Sequence, residues 1–211
     1  MKRMVIGILI VILVISMVGC GTKKLDPLEM CENAYSALAN RDHIHFTLEQ
    51  SMEASDGSYN AFESHERWYS GNNWLDITDK ESFEFSLLQF DGIQYSNYSN
   101  ASEGWQTVEN ATSLTPTWKA ASWESLGAEV ISDTDTSEGR EIICSVKNEE
   151  MKDAQYIFNF DDTDNLISLT VSGSTPMSDT VTIRAEFKHI IHGTDDVEIQ
   201  QRIMTAKEEI K

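Results

Sequence analysis

Apolar side chains recur in two rhythms along this chain, one helical and one extended. Leu28, Cys31, Tyr35 and Leu38, with Ala34 beside them, return at helical spacing. Asp26 at the N-cap, Pro27 at the first helical position and Glu29 placed to close a capping box start that helix, which should run to about Asn40. From His43 onward the period is 2: Ile44, Phe46, Leu48 and Met52 alternate with His43, His45, Thr47, Glu49 and Ser51, a strand with one wet face. The pattern repeats almost to the end. Turn chemistry stands at Asp56-Gly57, Gly71-Asn72-Asn73, Asp91-Gly92, Glu138-Gly139, Asp161 to Asn165, Gly173 to Pro176 and Gly193 to Asp196. Between these turns strands are expected near 43–54, 58–70, 73–79, 82–91, 93–98, 104–109, 128–136, 140–148, 153–161, 165–173, 179–191 and 196–204.

One segment interrupts the series. Thr115-Pro116, then Thr117 to Leu126 with Trp118 and Trp123 about a turn and a half apart, then Gly127 as a stop, predicts a short second helix or a lid-like loop. The other prolines are Pro27 and Pro176 alone, which suits long uninterrupted strands. With no internal repeat and no low-complexity linker, residues 26–211 are expected to form one domain. The fold class that follows is mainly β with some helix (α+β), an antiparallel meander joined by short turns. Such a series can close as a barrel, pack as a sandwich or curl over a helix as an open half-barrel.

The first nineteen residues follow neither rhythm. Lys2 and Arg3 precede an uncharged apolar run from Met4 to Val18 and the small residue Gly19, the three-part layout of a secretory signal. That run of about 15 residues is shorter than the roughly 20 that span a bilayer core. Met17-Val18-Gly19-Cys20 resembles the lipobox of bacterial lipoproteins, which implies cleavage after residue 19, a lipid on Cys20 and a tether over 20–25. Two acyl chains hold a protein on a membrane where one binds marginally. Lys23 and Lys24 then lie beside anionic headgroups. The expected location is extracytoplasmic, anchored to the bacterial cell membrane.

Charge narrows the partners. The chain carries −19, and losing Lys2 and Arg3 makes it −21, a surface that repels nucleic acid. It is not the composition of a disordered chain, because 40% of the residues are hydrophobic. After export Cys31 and Cys144 meet an oxidising compartment; they are either a disulfide or two small buried apolar side chains.

An N-terminal helix, a long antiparallel meander and a helical interruption midway, in a lipid-anchored chain of this size, resemble the LolA/LolB and LppX/LprG-like superfamily of lipoprotein carriers. The resemblance covers 26–204 and rests on architecture. It implies a meander curled as a half-barrel around the N-terminal helix, with a concave apolar face that holds acyl chains.

Catalytic and metal chemistry find little footing. Asp133-x-Asp135-x-Ser137 opens like a calcium loop, but Glu138 stands where Gly is needed and Cys144 where the bidentate Glu belongs. Asp161, Asp162 and Asp164 read as a solvated hairpin tip. His43-x-His45 puts two imidazoles on one strand face, yet His65, His189 and His192 lie on other strands and no third ligand is named. No nucleophile elbow and no phosphate-binding glycine loop is present, so neither an enzyme nor a cofactor is expected.

The aromatics remain. Trp68, Tyr69, Trp74, Phe83, Phe85, Phe90, Tyr95, Tyr98 and Trp105 crowd the first half of the sheet, followed by Trp118 and Trp123. Most are expected in the core. A curved sheet with too few helices to cover it leaves an apolar trough, and Trp118, Trp123, Trp68, Trp74 and Trp105 are the candidates to line or close it. The expected function is non-enzymatic binding of a lipid or another hydrophobic molecule. The alternative is an envelope module that binds a protein or wall polymer through its outer face or sheet edges.

Overall fold

A computed structural model describes residues 25–40, 43–58, 60–80, 83–99, 102–108, 127–147, 151–175, 178–193 and 197–210. Helix α1 (Pro27–Asn40) comes first, followed by β1 (Ile44–Ala54), β2 (Asn60–Ser70), β3 (Asn73–Lys80), β4 (Phe83–Phe90), β5 (Ile93–Tyr98) and β6 (Gln106–Thr107). Then come β7 (Glu129–Thr136), β8 (Gly139–Val146), β9 (Lys152–Phe160), β10 (Leu166–Thr175), β11 (Ser178–His192) and helix α2 (Val197–Glu208). The start of α1 is capped as the sequence predicts: Asp26 Oδ1 accepts from the backbone N–H groups of Leu28 (3.0 Å) and Glu29 (3.3 Å).

All eleven strands join one antiparallel sheet in the order β6-β5-β4-β3-β2-β1-β11-β10-β9-β8-β7. The chain therefore builds the sheet outward from β1 to one edge, crosses to the other edge, and builds inward until β11 pairs with β1. That pairing runs from Ile44 opposite His192 to Ala54 opposite Val181 and seals the two halves. The result is an open half-barrel with edges at β6 and β7, the class the sequence led us to expect.

Turn geometry sets the registers. Asp91 and Gly92 take φ of 50° and 80°, the left-handed pair that a two-residue hairpin turn requires, and so place Phe90 opposite Ile93. At the start of β8 a Cβ on Gly139 would lie 2.0 Å from the Phe160 carbonyl oxygen, so no side chain fits where β8 meets the end of β9.

Two expectations need correction. Residues 196–204, read as a twelfth strand, lie largely in helix α2: Ile199, Ile203 and Ala206 are its buried positions, spaced four and three apart, while the apparent alternation through Val197 and Ile199 breaks at Gln201. The strand expected at 104–109 shrinks to the two residues of β6.

Helix α1 is also not the only helix on the sheet, and the two lie on opposite faces. Successive strand residues point to opposite faces, and neighbours Trp68 and Tyr69 divide between two clusters, as do Trp74 and Leu75. Tyr69, Trp74, Ile44, Phe46, Leu48, Phe187, Leu169, Phe158 and Ile142 form one continuous core with Met30, Cys31 and Leu38 of α1; we call this the inner face. Trp68, Leu75, Leu88 and Tyr95 pack with Ile199, Ile203 and Ala206 of α2 on the outer face. The strand contacts of α1 centre on β7 and β8, and those of α2 on β2, β3 and β4.

Candidate functional site

Helix α1 centres on the second half of the sheet, so the inner face of β2 to β5 presents a different surface. Its composition follows from register. The Gly71-Asn72 turn places Ser70 opposite Asn73, and from there Tyr69 faces Trp74, Arg67 faces Asp76, His65 faces Thr78 and Glu63 faces Lys80. Across β4 and β5 the same face carries Gln89 with Gln94, Leu87 with Ser96, and Phe85 with Tyr98.

The middle of this surface is a buried polar network. Arg67 Nε donates to Asp76 Oδ2 at 2.8 Å. His65 Nδ1 lies 3.1 Å from Asp76 Oδ1, 3.0 Å from the Thr78 hydroxyl and 3.1 Å from Arg67 Nη2. The Thr78 hydroxyl also donates to Asp76 Oδ1 at 3.3 Å. His65, Arg67, Asp76 and Thr78 are all buried. Burial opposes ionisation of Asp76, but the hydrogen bond from His65 and the charges of Arg67 and His65 together hold its carboxyl below the ordinary aspartate value. On its outer flank Glu63 lies 2.7 Å from His65 Nε2 and 2.8 Å from Lys80 Nζ.

Apolar groups bound the network at both ends. Trp74 and Leu87 join the α1 core on one side. On the other side Phe83 is tilted against Phe85 and Phe85 stacks on Tyr98, with ring centroids 6.1 Å and 5.8 Å apart, and Lys80 Nζ sits 5.9 Å from the Phe85 ring centre. Tyr98 is 46% exposed, so this aromatic series reaches solvent.

One ring nitrogen on this face, Trp74 Nε1, is buried and without a hydrogen-bond partner. His65 Nε2 instead faces the Glu63 carboxylate at 2.7 Å. Buried donors are almost always satisfied. An orphaned donor beside an ionic network, between apolar walls, is an arrangement able to receive an amphiphilic ligand through a polar acceptor. Neither residue type nor spacing flagged His65, Arg67 and Asp76 from the sequence, although the Gly71-Asn72 turn fixes the pairing that joins them.

Of the five tryptophans named from the sequence, the three among the described residues divide between the two faces. Trp74 is on the inner face, Trp68 and Trp105 pack with α2 on the outer face, and Trp118 and Trp123 lie outside the described residues, as does Cys20. Trp68 is sandwiched there: the His45 ring stacks on it at 4.9 Å and the Arg202 guanidinium lies 5.2 Å from its centre. Trp105 Nε1 donates to Glu209 Oε2 at 3.3 Å, and Lys207 Nζ donates to the Tyr95 hydroxyl at 2.9 Å. A cavity of about 240 Å³ at the edge of α2 is lined by Ser70, Asn73, Phe90, Gln200, Ile203 and Met204. That volume is below the roughly 300 Å³ at which ligand pockets begin.

The remaining candidates have structural partners. Asp133 Oδ1 and Oδ2 each accept from the Arg140 guanidinium at 2.7 Å across the β7–β8 hairpin, and Arg140 Nη1 also lies 3.3 Å from Met30 Sδ. Asp161 caps its own turn: Oδ1 accepts from the backbone N–H groups of Asn165 (2.9 Å) and Thr163 (2.8 Å), and these bonds hold its pKa down at about 2. His45 Nε2 lies 3.2 Å from Glu66. No group of three or more His, Cys, Asp or Glu side chains arranged to hold a metal ion occurs among the described residues. Cys31 and Cys144, left open by the sequence, face one another as free thiols with their sulfurs 3.8 Å apart. No helix among the described residues is long and apolar enough to cross a membrane.

No family model matches this chain, and no curated protein matches it. Solved structures do overlay on it. A LolA superfamily protein from Nitrosomonas europaea is 7% identical, with 77% of this chain and 91% of that one covered at a TM-score of 0.36. The MucA/MucB complex of Pseudomonas aeruginosa gives 13% identity over 83% of this chain at a TM-score of 0.41, and the chain spans 60% of the length it matches there. A DUF1329 family protein from Desulfovibrio piger is 7% identical over 80% of this chain and 92% of its own, at a TM-score of 0.32. Overlap at this level adds nothing to the strand pairing, from which the fold is read.

Proposed function

We propose that this chain is a membrane-anchored extracytoplasmic lipoprotein, held through a lipid on Cys20, whose half-barrel binds a lipid or another amphiphilic hydrophobic molecule on the inner face of β2 to β5. The observation that carries the reading is the buried Trp74 Nε1, without a hydrogen-bond partner, set beside the Arg67–Asp76 pair on a face flanked by Leu87, Phe83, Phe85 and Tyr98. An apolar tail lies along the aromatic series, and a carbonyl, carboxylate or phosphate oxygen accepts from the Trp74 Nε1–H group. Trp118, Trp123 and Trp74 belong to the reading as the candidates to line or close the trough; Trp68 and Trp105, under α2, support it only by holding the strands from behind. The role is binding, not catalysis.

The test is mass spectrometry of organic extracts from protein released from membranes by cleavage behind the tether and purified without detergent. A stoichiometric amphiphile in the extract is expected, and its loss in a Trp74→Ala variant. An interior that yields no bound molecule, and takes up none from vesicles, contradicts the reading. Cys20→Ala is expected to move the protein from the membrane fraction to the soluble one.

The second reading, an envelope module that binds protein or wall polymer, has its own support in strand β7. This edge strand is exposed along most of its length, with Ile131 60% exposed beside Glu129, Asp133 and Asp135. A partner strand can add to such an edge.

A further inference from the structure

Cys31 lies on the buried stripe of α1 with Met30 and Leu38, and Cys144 lies between Ile142 and Val146 on the inner face of β8. They are 113 positions apart in sequence, both are fully buried, and the Cys144 thiol donates to Cys31 Sγ across 3.8 Å. Sulfurs so placed need approach each other by less than 2 Å to reach the ~2.05 Å of a disulfide. We propose that Cys31 and Cys144 form a disulfide when the chain folds outside the cytoplasm, clamping α1 to β8. The proposal takes its oxidising setting from the export reading above, and nothing from the ligand.

In the reaction each thiol gives up its hydrogen, one S–S bond forms, and two electrons and two protons pass to an oxidant of the thiol–disulfide exchange class, whose own disulfide is reduced to two thiols. Once α1 has docked, the adjacent Cys144 sulfur and burial push the Cys31 thiol far above its ordinary pKa. Both sulfurs are then fully buried and closed to an oxidant, so the bond forms before docking completes. The consequence is mechanical. Helix α1 begins at Pro27, close behind the tether, and the bridge passes any pull from the membrane directly into the sheet.

The full chain, unfolded with reductant and refolded in a buffer of oxidised and reduced glutathione, is blocked with iodoacetamide and digested. A peptide linking Cys31 to Cys144 is expected, together with a higher denaturant midpoint than the same protein refolded under reductant. The Cys31→Ser/Cys144→Ser double variant should show one midpoint in both buffers. Carbamidomethyl groups on both residues after oxidative refolding, or Cys20 bridged to either of them, overturns the proposal. Because this experiment makes no use of cellular location, its failure counts against the bridge, while a failure of the Cys20 fractionation counts against the anchor alone.

Discussion

Asp76 is the residue on which the inner-face network depends. It accepts from Arg67 and His65 in a site where both partners are buried, and removing one member of such a pair leaves a buried charge uncompensated. Asp76→Ala should therefore cost about 3–5 kcal/mol in urea unfolding. The sign of its pH dependence is fixed by its depressed pKa. Asp76 adds stability above the ordinary aspartate value of 3.8 and loses it as pH falls through the lower folded value. Asp76→Asn should flatten the stability profile in that acid window, and an unchanged acid slope contradicts the assignment. These residues were hidden in the sequence because both faces of β2 are mixed. Glu63, His65 and Arg67 alternate with Phe62, Glu66 and Trp68, so polarity alone does not say which set turns inward. Turn register does say it, once Gly71-Asn72 is taken as the hairpin tip.

Among the elements, α1 and the strands were legible because capping and alternation both bear on a single buried face. In β1 the inward residues Ile44, Phe46 and Leu48 are buried and Thr47 and Glu49 are less so. Helix α2 was not, because its polar surface carries few apolar residues and the first of these, Val197 and Ile199, stand two apart. Its packing nevertheless makes it part of the fold. Ile203 is buried against the outer face with Trp68, Leu75 and Leu88, so Ile203→Ala should destabilise by about 2–5 kcal/mol and shift the Trp68 emission to the red. A helix that merely frays in solution predicts neither change. The α1–β8 clamp is larger on the same scale: closing a loop of 113 positions adds about 4–5 kcal/mol in the chain-entropy model.

For the whole molecule, the two helices divide the faces of the sheet between them. Helix α2 supports β2 to β4 from outside, while α1 fills the inner face chiefly over β7 and β8. Architecture was readable from strand periodicity and turn spacing, but the face on which each helix lies was not, since it depends on the pairing of β1 with β11, residues more than a hundred positions apart. The local register of the Gly71-Asn72 hairpin puts Trp74 on the face opposite Trp68, two residues that composition alone had grouped. A chain with charge −19 also disfavours free anionic partners, so an amphiphile is expected to enter tail first.

The most direct test of that account is a fluorescent long-chain fatty acid titrated into wild-type protein, a Phe85→Glu variant on the inner face and an Ile93→Glu variant on the exposed outer face. Saturable binding to wild type, weakened at least ~10-fold by Phe85→Glu and unchanged by Ile93→Glu, is predicted, a charge on the apolar wall costing more than ~1.4 kcal/mol. Equal binding by all three proteins, or none by any, would contradict the inner face as the site.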